Sequence, residues 1–162
     1  MAESRSVAMR NERAVPAVAG GMDLTAALDF VATRHQGVLT TLKADGRPQL
    51  SNIAYRLGDD GVIRISVTAG RAKTKNIERD SRVSLHVTRD DFYAYAVVEG
   101  AAELTPVAAA PDDATVEQLV EYYRAVSGEH PDWDDYRRAM VADGRLLVLL
   151  RPKRAYGMLP DQ

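Results

Sequence analysis

The chain has 162 residues, 46% of them hydrophobic, with a formal net charge of -2 and no cysteine. One domain with a proper core fits that length; near-neutral charge argues against a dedicated nucleic-acid surface, and the missing cysteines exclude disulfide and thiolate chemistry, which suits a reducing cytoplasm. The longest strongly apolar run, Leu146-Leu147-Val148-Leu149-Leu150, is too short to span a bilayer, and the charges at Glu3, Arg5, Arg10, Glu12 and Arg13 precede no apolar segment, so a soluble, untargeted protein is expected.

Residues 1–21 mix charges with Ala, Val and Pro, show no hydrophobic period and end in Gly20-Gly21. They read as a mobile arm, leaving 22–162 as the folded domain. Asp23 is placed to cap a helix whose Leu24, Leu28 and Val31 share one face, and Gly37 suits the reversal that follows. Residues 38–43, 48–57 and 62–67 read as strands separated by Asp45-Gly46 and Asp59-Asp60-Gly61, both hairpin signals. A short helix is expected from about Ala72. Next comes a strand in which Val83, Leu85 and Val87 alternate with polar residues, then another over residues 93–104. Thr115 with Gln118 has the pattern of a capping box for a helix over 115–126. A second helix over 131–142 places Trp133, Tyr136 and Met140 along one side and ends at Gly144. Residues 145–152 are too continuously apolar for an edge strand and are expected in the sheet interior. Five or six closely spaced strands with few helices predict a mainly β (α+β) domain whose sheet closes into a small barrel, since closure removes exposed edges.

Familiar catalytic motifs are missing. His35, His86 and His130 stand apart from metal-ligand spacings, Ser51 has no Gly-x-Ser-x-Gly frame, and neither a Walker loop nor Gly-x-Gly-x-x-Gly follows a strand. Asp132, Asp134 and Asp135 suit the start of the second helix, as dipole-favoured caps. The informative segment is Arg71-Ala72-Lys73-Thr74-Lys75-Asn76, which sets three cations at the positive end of a short helix. A bound anion removes that conflict, and phosphate suits guanidinium, ammonium, hydroxyl and helix N–H donors together; a solvated basic turn is the competing reading. Gln49 and Ser51 share one strand face, which fits either the edge of a flat heterocycle or the solvent side of a strand. Tyr93 and Tyr95 share a face too, as a stacking pair or as packing residues.

Three stretches together resemble the pyridoxamine phosphate oxidase-like split-barrel proteins: residues 37–43 continuing through Asp45-Gly46-Arg47-Pro48-Gln49-Leu50-Ser51-Asn52, the Arg71 to Asn76 clamp, and Tyr93-Ala94-Tyr95-Ala96-Val97-Val98-Glu99-Gly100. Within them the chain is similar to the actinobacterial deazaflavin branch, which uses coenzyme F420, and the likeness runs through Trp133-Asp134-Asp135-Tyr136 to Tyr156-Gly157. The resemblance implies a split β-barrel of the FMN-binding-protein type, forming a homodimer with two cofactor sites between the subunits. It implies that Arg71, Lys73 and Thr74 hold the cofactor phosphate while Asn76 supports the turn. Gln49, Ser51 and Asn52 would approach the deazaflavin and its polyol, Ser66 would contribute, and Tyr93 and Tyr95 would shape the cleft from the partner subunit. The Arg-x-Val-Leu-x-Lys element and C-terminal Trp and Arg set of true pyridoxamine phosphate oxidases are not evident. The implied activity is therefore hydride transfer between coenzyme F420 and a small organic substrate, with no nucleic-acid or membrane partner. The alternatives are an FMN-dependent oxidase and a deazaflavin carrier or sensor without turnover.

Overall fold

A computed structural model describes residues 21–160, so the expected arm, apart from Gly21, lies outside the described residues. Asp23 caps α1 (Leu24–Ala32) by accepting from the Ala26 N–H, and Ala27 and Val31 turn inward. The first hairpin pairs β1 (Gln36–Leu42) with β2 (Pro48–Ala54), from Gln36 opposite Ala54 to Leu42 opposite Pro48. Its turn needs Gly46, whose φ of 84° is one that side chains with a Cβ rarely adopt.

The expected strand over 48–57 is in fact two. Tyr55 interrupts it, and β3 (Arg56–Leu57) leaves β1 to pair with β4 (Ile63–Thr68). Tyr55 is fully buried; its N–H donates to the His35 carbonyl and its hydroxyl to the Val31 carbonyl at 2.7 Å. That anchoring matters because the remaining strands, β5 (Arg82–Thr88), β6 (Tyr95–Leu104) and β7 (Arg145–Met158), complete a seven-stranded antiparallel sheet of order β2-β1-β5-β6-β7-β4-β3. Its two edge strands are joined through a single residue, so the sheet has to curl back towards itself as a split barrel.

The count of seven, rather than five or six, comes from the break at Tyr55. β7 also runs six residues beyond the expected Pro152, because its first part, residues 145–150, pairs with β4 and residues 148–158 pair with β6. Pro152 lacks an N–H for the ladder, and the register shifts beside it, between Glu99 and Gly100. Gly100 is required there, since a Cβ would run into the Arg151 carbonyl.

Inward residues such as Leu39, Leu85, Val98, Ile65 and Val148 fill the barrel. On its outside, α3 (Ala114–Ser127) and α4 (Trp133–Ala142) bury Leu119, Tyr122, Tyr136 and Met140 against Leu147. The 146–150 stretch of β7 is thus covered on both faces, which is why its sequence shows no alternation. The α3 cap is Asp113, not Thr115: Asp113 accepts from the N–H groups of Val116, Ala109 and Ala110, while Thr115 lies inside the helix and donates to the Pro106 carbonyl. No helix among the described residues is long and apolar enough to cross a membrane.

Candidate functional site

β4 ends at Thr68, and a turn through Ala69 and Gly70 delivers the chain to α2 (Ala72–Arg79). Arg71 is its N-cap residue, makes no capping hydrogen bond, and is followed by a first turn without an acidic residue. The positive end of the helix therefore carries cations, the reverse of the favourable arrangement.

The inner side of α2 is closed by hydrogen bonds. Thr74 is buried, and its hydroxyl donates to the Thr68 carbonyl at 2.8 Å. Asn76, also buried, donates to Thr41 Oγ1 at 3.0 Å and Gln49 Oε1 at 3.3 Å. Its side-chain carbonyl accepts from Arg79, which also donates to the Leu42 carbonyl. Gln49 further accepts from the Thr41 hydroxyl and donates to Ser51 Oγ, both at 3.2 Å. Thr41 lies opposite Gln49 and Leu39 opposite Ser51, so these β2 side chains belong to the inner face of the hairpin. Asn52 is on the other face.

The outer side of α2 is open. Lys73 borders a cleft of about 390 Å³, together with Asn52, Ser66 and Arg145, under a wall formed by Tyr122, Tyr136 and Met140. Sheet pairing explains the convergence: Arg145 begins β7 opposite Thr68, and Ser66 lies opposite Leu147, so Arg145 and Ser66 sit on one face beside the start of α2. Burial first, then the nearby Arg71 and Arg145 guanidinium groups, hold the Lys73 ammonium below the ordinary lysine pKa. No carboxylate among the described residues pairs with Arg71, Lys73 or Arg145. The Nε of Arg145 is buried and has no hydrogen-bond partner among them.

The wall residues are fixed by other bonds. The Tyr122 hydroxyl donates to the Ala54 carbonyl at 2.8 Å, and Tyr136 to the Leu119 carbonyl at 2.9 Å. Burial raises both phenols, Tyr136 to about 12, so they stay protonated at neutral pH. A second cleft, of about 780 Å³, follows the outer face of β1 and β5 past Val38 and His86, and it shares Asn52, Ile53 and Ala54 with the first. The pairing of Val38 with both Asn52 and His86 sets the three in one row, so the second cleft follows this strand surface and adjoins the cationic one at Asn52.

A family model for pyridoxamine 5'-phosphate oxidase matches residues 24–158. The chain belongs to the pyridoxamine 5'-phosphate oxidase family. Among solved structures, a conserved hypothetical protein, Rv2991, from Mycobacterium tuberculosis is 25% identical, with a TM-score of 0.66 over 87% of this chain and 91% of that one. An F420 reductase is 26% identical, with a TM-score of 0.62 over 78% of this chain and 94% of that one. A heme binding protein from Mycobacterium smegmatis shares the fold at 19% identity, with a TM-score of 0.58 over 79% of this chain and 50% of that one.

In this family member the residues expected at a ligand fall into three groups. Asn52, Ser66 and Lys73 border one cleft, with Arg71 exposed at the neighbouring helix start. Gln49, Ser51, Thr74 and Asn76 lie behind it, on the inner side of α2 and β2. Tyr93 and Tyr95 do not share a strand face, because β6 starts at Tyr95. Tyr93 belongs to the preceding turn, 75% exposed beside Phe92, whose φ is 67°. Tyr95 packs on His86 with ring centroids 5.5 Å apart. Arg145 carries no motif. Its only sequence signal is a cation at the head of an apolar run, and its position depends on a β4–β7 pairing that spacing does not reveal.

Proposed function

We propose that this oxidase-family protein binds coenzyme F420 and uses it in hydride transfer with a small organic substrate. The observation that carries the reading is a pair of adjoining clefts that share Asn52, Ile53 and Ala54: one is bordered by Lys73 and Arg145, which pair with no carboxylate among the described residues, the other by the Asn52, Val38 and His86 row. A buried N–H and two cations that find no partner or counter-charge among the described residues fit an anionic group, and the strand surface fits a planar ring. The 26% identity to an F420 reductase supports the deazaflavin over other planar cofactors.

The bound cofactor would supply the hydride chemistry. This chain's residues bind and orient it. Arg71 and Lys73 neutralise the phosphate, Ser66 donates to it, and Asn52 reaches the polyol or the ring edge. Gln49, Ser51, Thr74 and Asn76 act from behind, holding α2 and β2 in register, while protonated Tyr122 and Tyr136 with Met140 wall off water. The outer sheet face exposes Leu50, Tyr156 and Met158, and Tyr93 and Tyr95 border it; we infer that a second copy of the chain covers it and completes the clefts.

Fluorescence titration of the purified protein with coenzyme F420 and, separately, FMN tests cofactor choice. The deazaflavin is expected to bind more tightly, and tighter FMN binding moves the reading to an oxidase. Consumption of reduced F420 that depends on an added acceptor separates an enzyme from a carrier. Sedimentation showing a stable monomer with undiminished F420 affinity would remove the dimer.

A further inference from the structure

The expected phosphate ligands sit around the N-terminus of α2, yet the structure places the demand for an anion deeper. Thr74 spends its hydroxyl on the Thr68 carbonyl, and Arg71 is exposed to solvent. On the wall of the cleft, Arg145 has a buried Nε with no partner among the described residues. Its charge reaches Lys73, depressing the ammonium pKa, and reaches the hydroxyls of Tyr122 and Tyr136 on the wall. Two cations bordering one half-buried cleft, with no carboxylate among the described residues paired to either, destabilise each other unless an anion intervenes. Ser66, on the same face as Arg145, adds a hydroxyl donor at the position such an anion occupies.

We propose that Arg145 is a phosphate-binding residue and that the anion seats between Lys73, Ser66 and Arg145, beneath the α3–α4 wall, with Arg71 as an outer charge only. A planar guanidinium offers a tetrahedral anion two donors in fixed geometry, which an ammonium does not. The inference deepens the reading of this cleft as the cofactor's phosphate end and rests on it only for the ligand class. The helical pair α3–α4 then contributes to binding as well as to the core, because Tyr122 and Tyr136, by excluding water above Arg145, strengthen its contact with the anion.

Inorganic phosphate is the probe, titrated calorimetrically into wild type, Arg145→Met, Arg145→Lys, Lys73→Met and Arg71→Met, with coenzyme F420 titrated in parallel. Arg145→Met and Lys73→Met are each expected to weaken phosphate binding by about ten- to hundredfold, and Arg71→Met by no more than about fivefold. Arg145→Lys keeps the charge without the fork and should fall between wild type and Arg145→Met; it carries the test if Arg145→Met does not fold. No phosphate binding by wild type, wild-type affinity in the Arg145 variants, or a larger loss in Arg71→Met than in Arg145→Met overturns the inference. Phosphate binding that depends on Arg145 in a protein that ignores F420 leaves the inference standing and removes the deazaflavin. F420 binding at full strength to Arg145→Met does the reverse.

Discussion

The two sides of α2 use similar residues to opposite ends. On the inner side, Asn76, Gln49, Thr41 and Arg79 each give or take hydrogen bonds with one another or with the Leu42 carbonyl. On the outer side, Lys73 and Arg145 border a cleft where, among the described residues, they meet no counter-charge and a buried guanidinium N–H has no partner. A satisfied buried network contributes stability and fixes register; an unsatisfied one costs stability and is retained where a ligand relieves it. Residue type alone therefore does not separate scaffold from site. Whether each polar group already has a partner does.

The largest effect should come from breaking the satisfied side. Asn76→Ala removes two donations and the acceptor of Arg79, leaving polar groups of Thr41 and Gln49 short of partners. We expect a loss of about 2–4 kcal/mol of folding stability, measured by urea denaturation. If Asn76→Ala unfolds at the wild-type midpoint while cofactor affinity collapses, Asn76 is a ligand residue and the division between the two sides fails.

Lys73→Ala makes the converse test. Cofactor affinity should fall by about ten- to hundredfold, the equivalent of about 1.5–3 kcal/mol for one charge-assisted contact. Stability without ligand should hold or rise slightly, because a cation beside Arg71 and Arg145 is gone. Sulfate should raise the melting temperature of wild type more than that of the variant. A marked stability loss without ligand would mean that Lys73 has a structural partner.

How much of this was legible in the sequence follows the range of the interactions. The caps at Asp23 and Asp132, the Asp45-Gly46 hairpin and the burial of the 146–150 run are local, and local chemistry specifies them. The break at Tyr55 was not legible, since its hydroxyl partner lies on α1 and its cause is closure of the whole sheet. The cap of α3 was misplaced because Asp113 and Thr115 are both good caps, and contacts to Ala109 and Ala110 decide between them. At the site, the Arg71 to Asn76 segment announced a cationic helix start. Alternation within β2 correctly paired Gln49 with Ser51 on one face. Which β2 face meets the barrel interior depends on Leu39 and Thr41 across the hairpin, and Arg145 arrives from the far end of the chain.

Thr74 tests the comparison at a single atom. Thr74→Val keeps the shape of the side chain and deletes the hydroxyl that donates to Thr68. The expected cost is about 1 kcal/mol of stability, with cofactor affinity within about twofold of wild type. Loss of affinity without loss of stability would return Thr74 to the phosphate.

The smallest effect is a pH dependence carried by Lys73. Folding lowers its pKa below the ordinary value of about 10.4, chiefly through burial. Between the lowered value and about 10.4 the unfolded chain therefore holds more protons than the folded one, so stability rises with pH across that window. Below the window the full penalty of the buried cation applies; above it, none. An anion in the cleft acts oppositely, restoring the Lys73 proton, so phosphate binding within the window should take up a proton and weaken as pH rises. Other lysines and tyrosines titrate there as well, which makes the difference between wild type and Lys73→Met the quantity to measure, by urea denaturation and by calorimetry in buffers of different ionisation heat. If the two proteins show the same stability slope and the same proton uptake, the Lys73 ammonium faces water, and the unsatisfied side of α2 reduces to Arg145 alone.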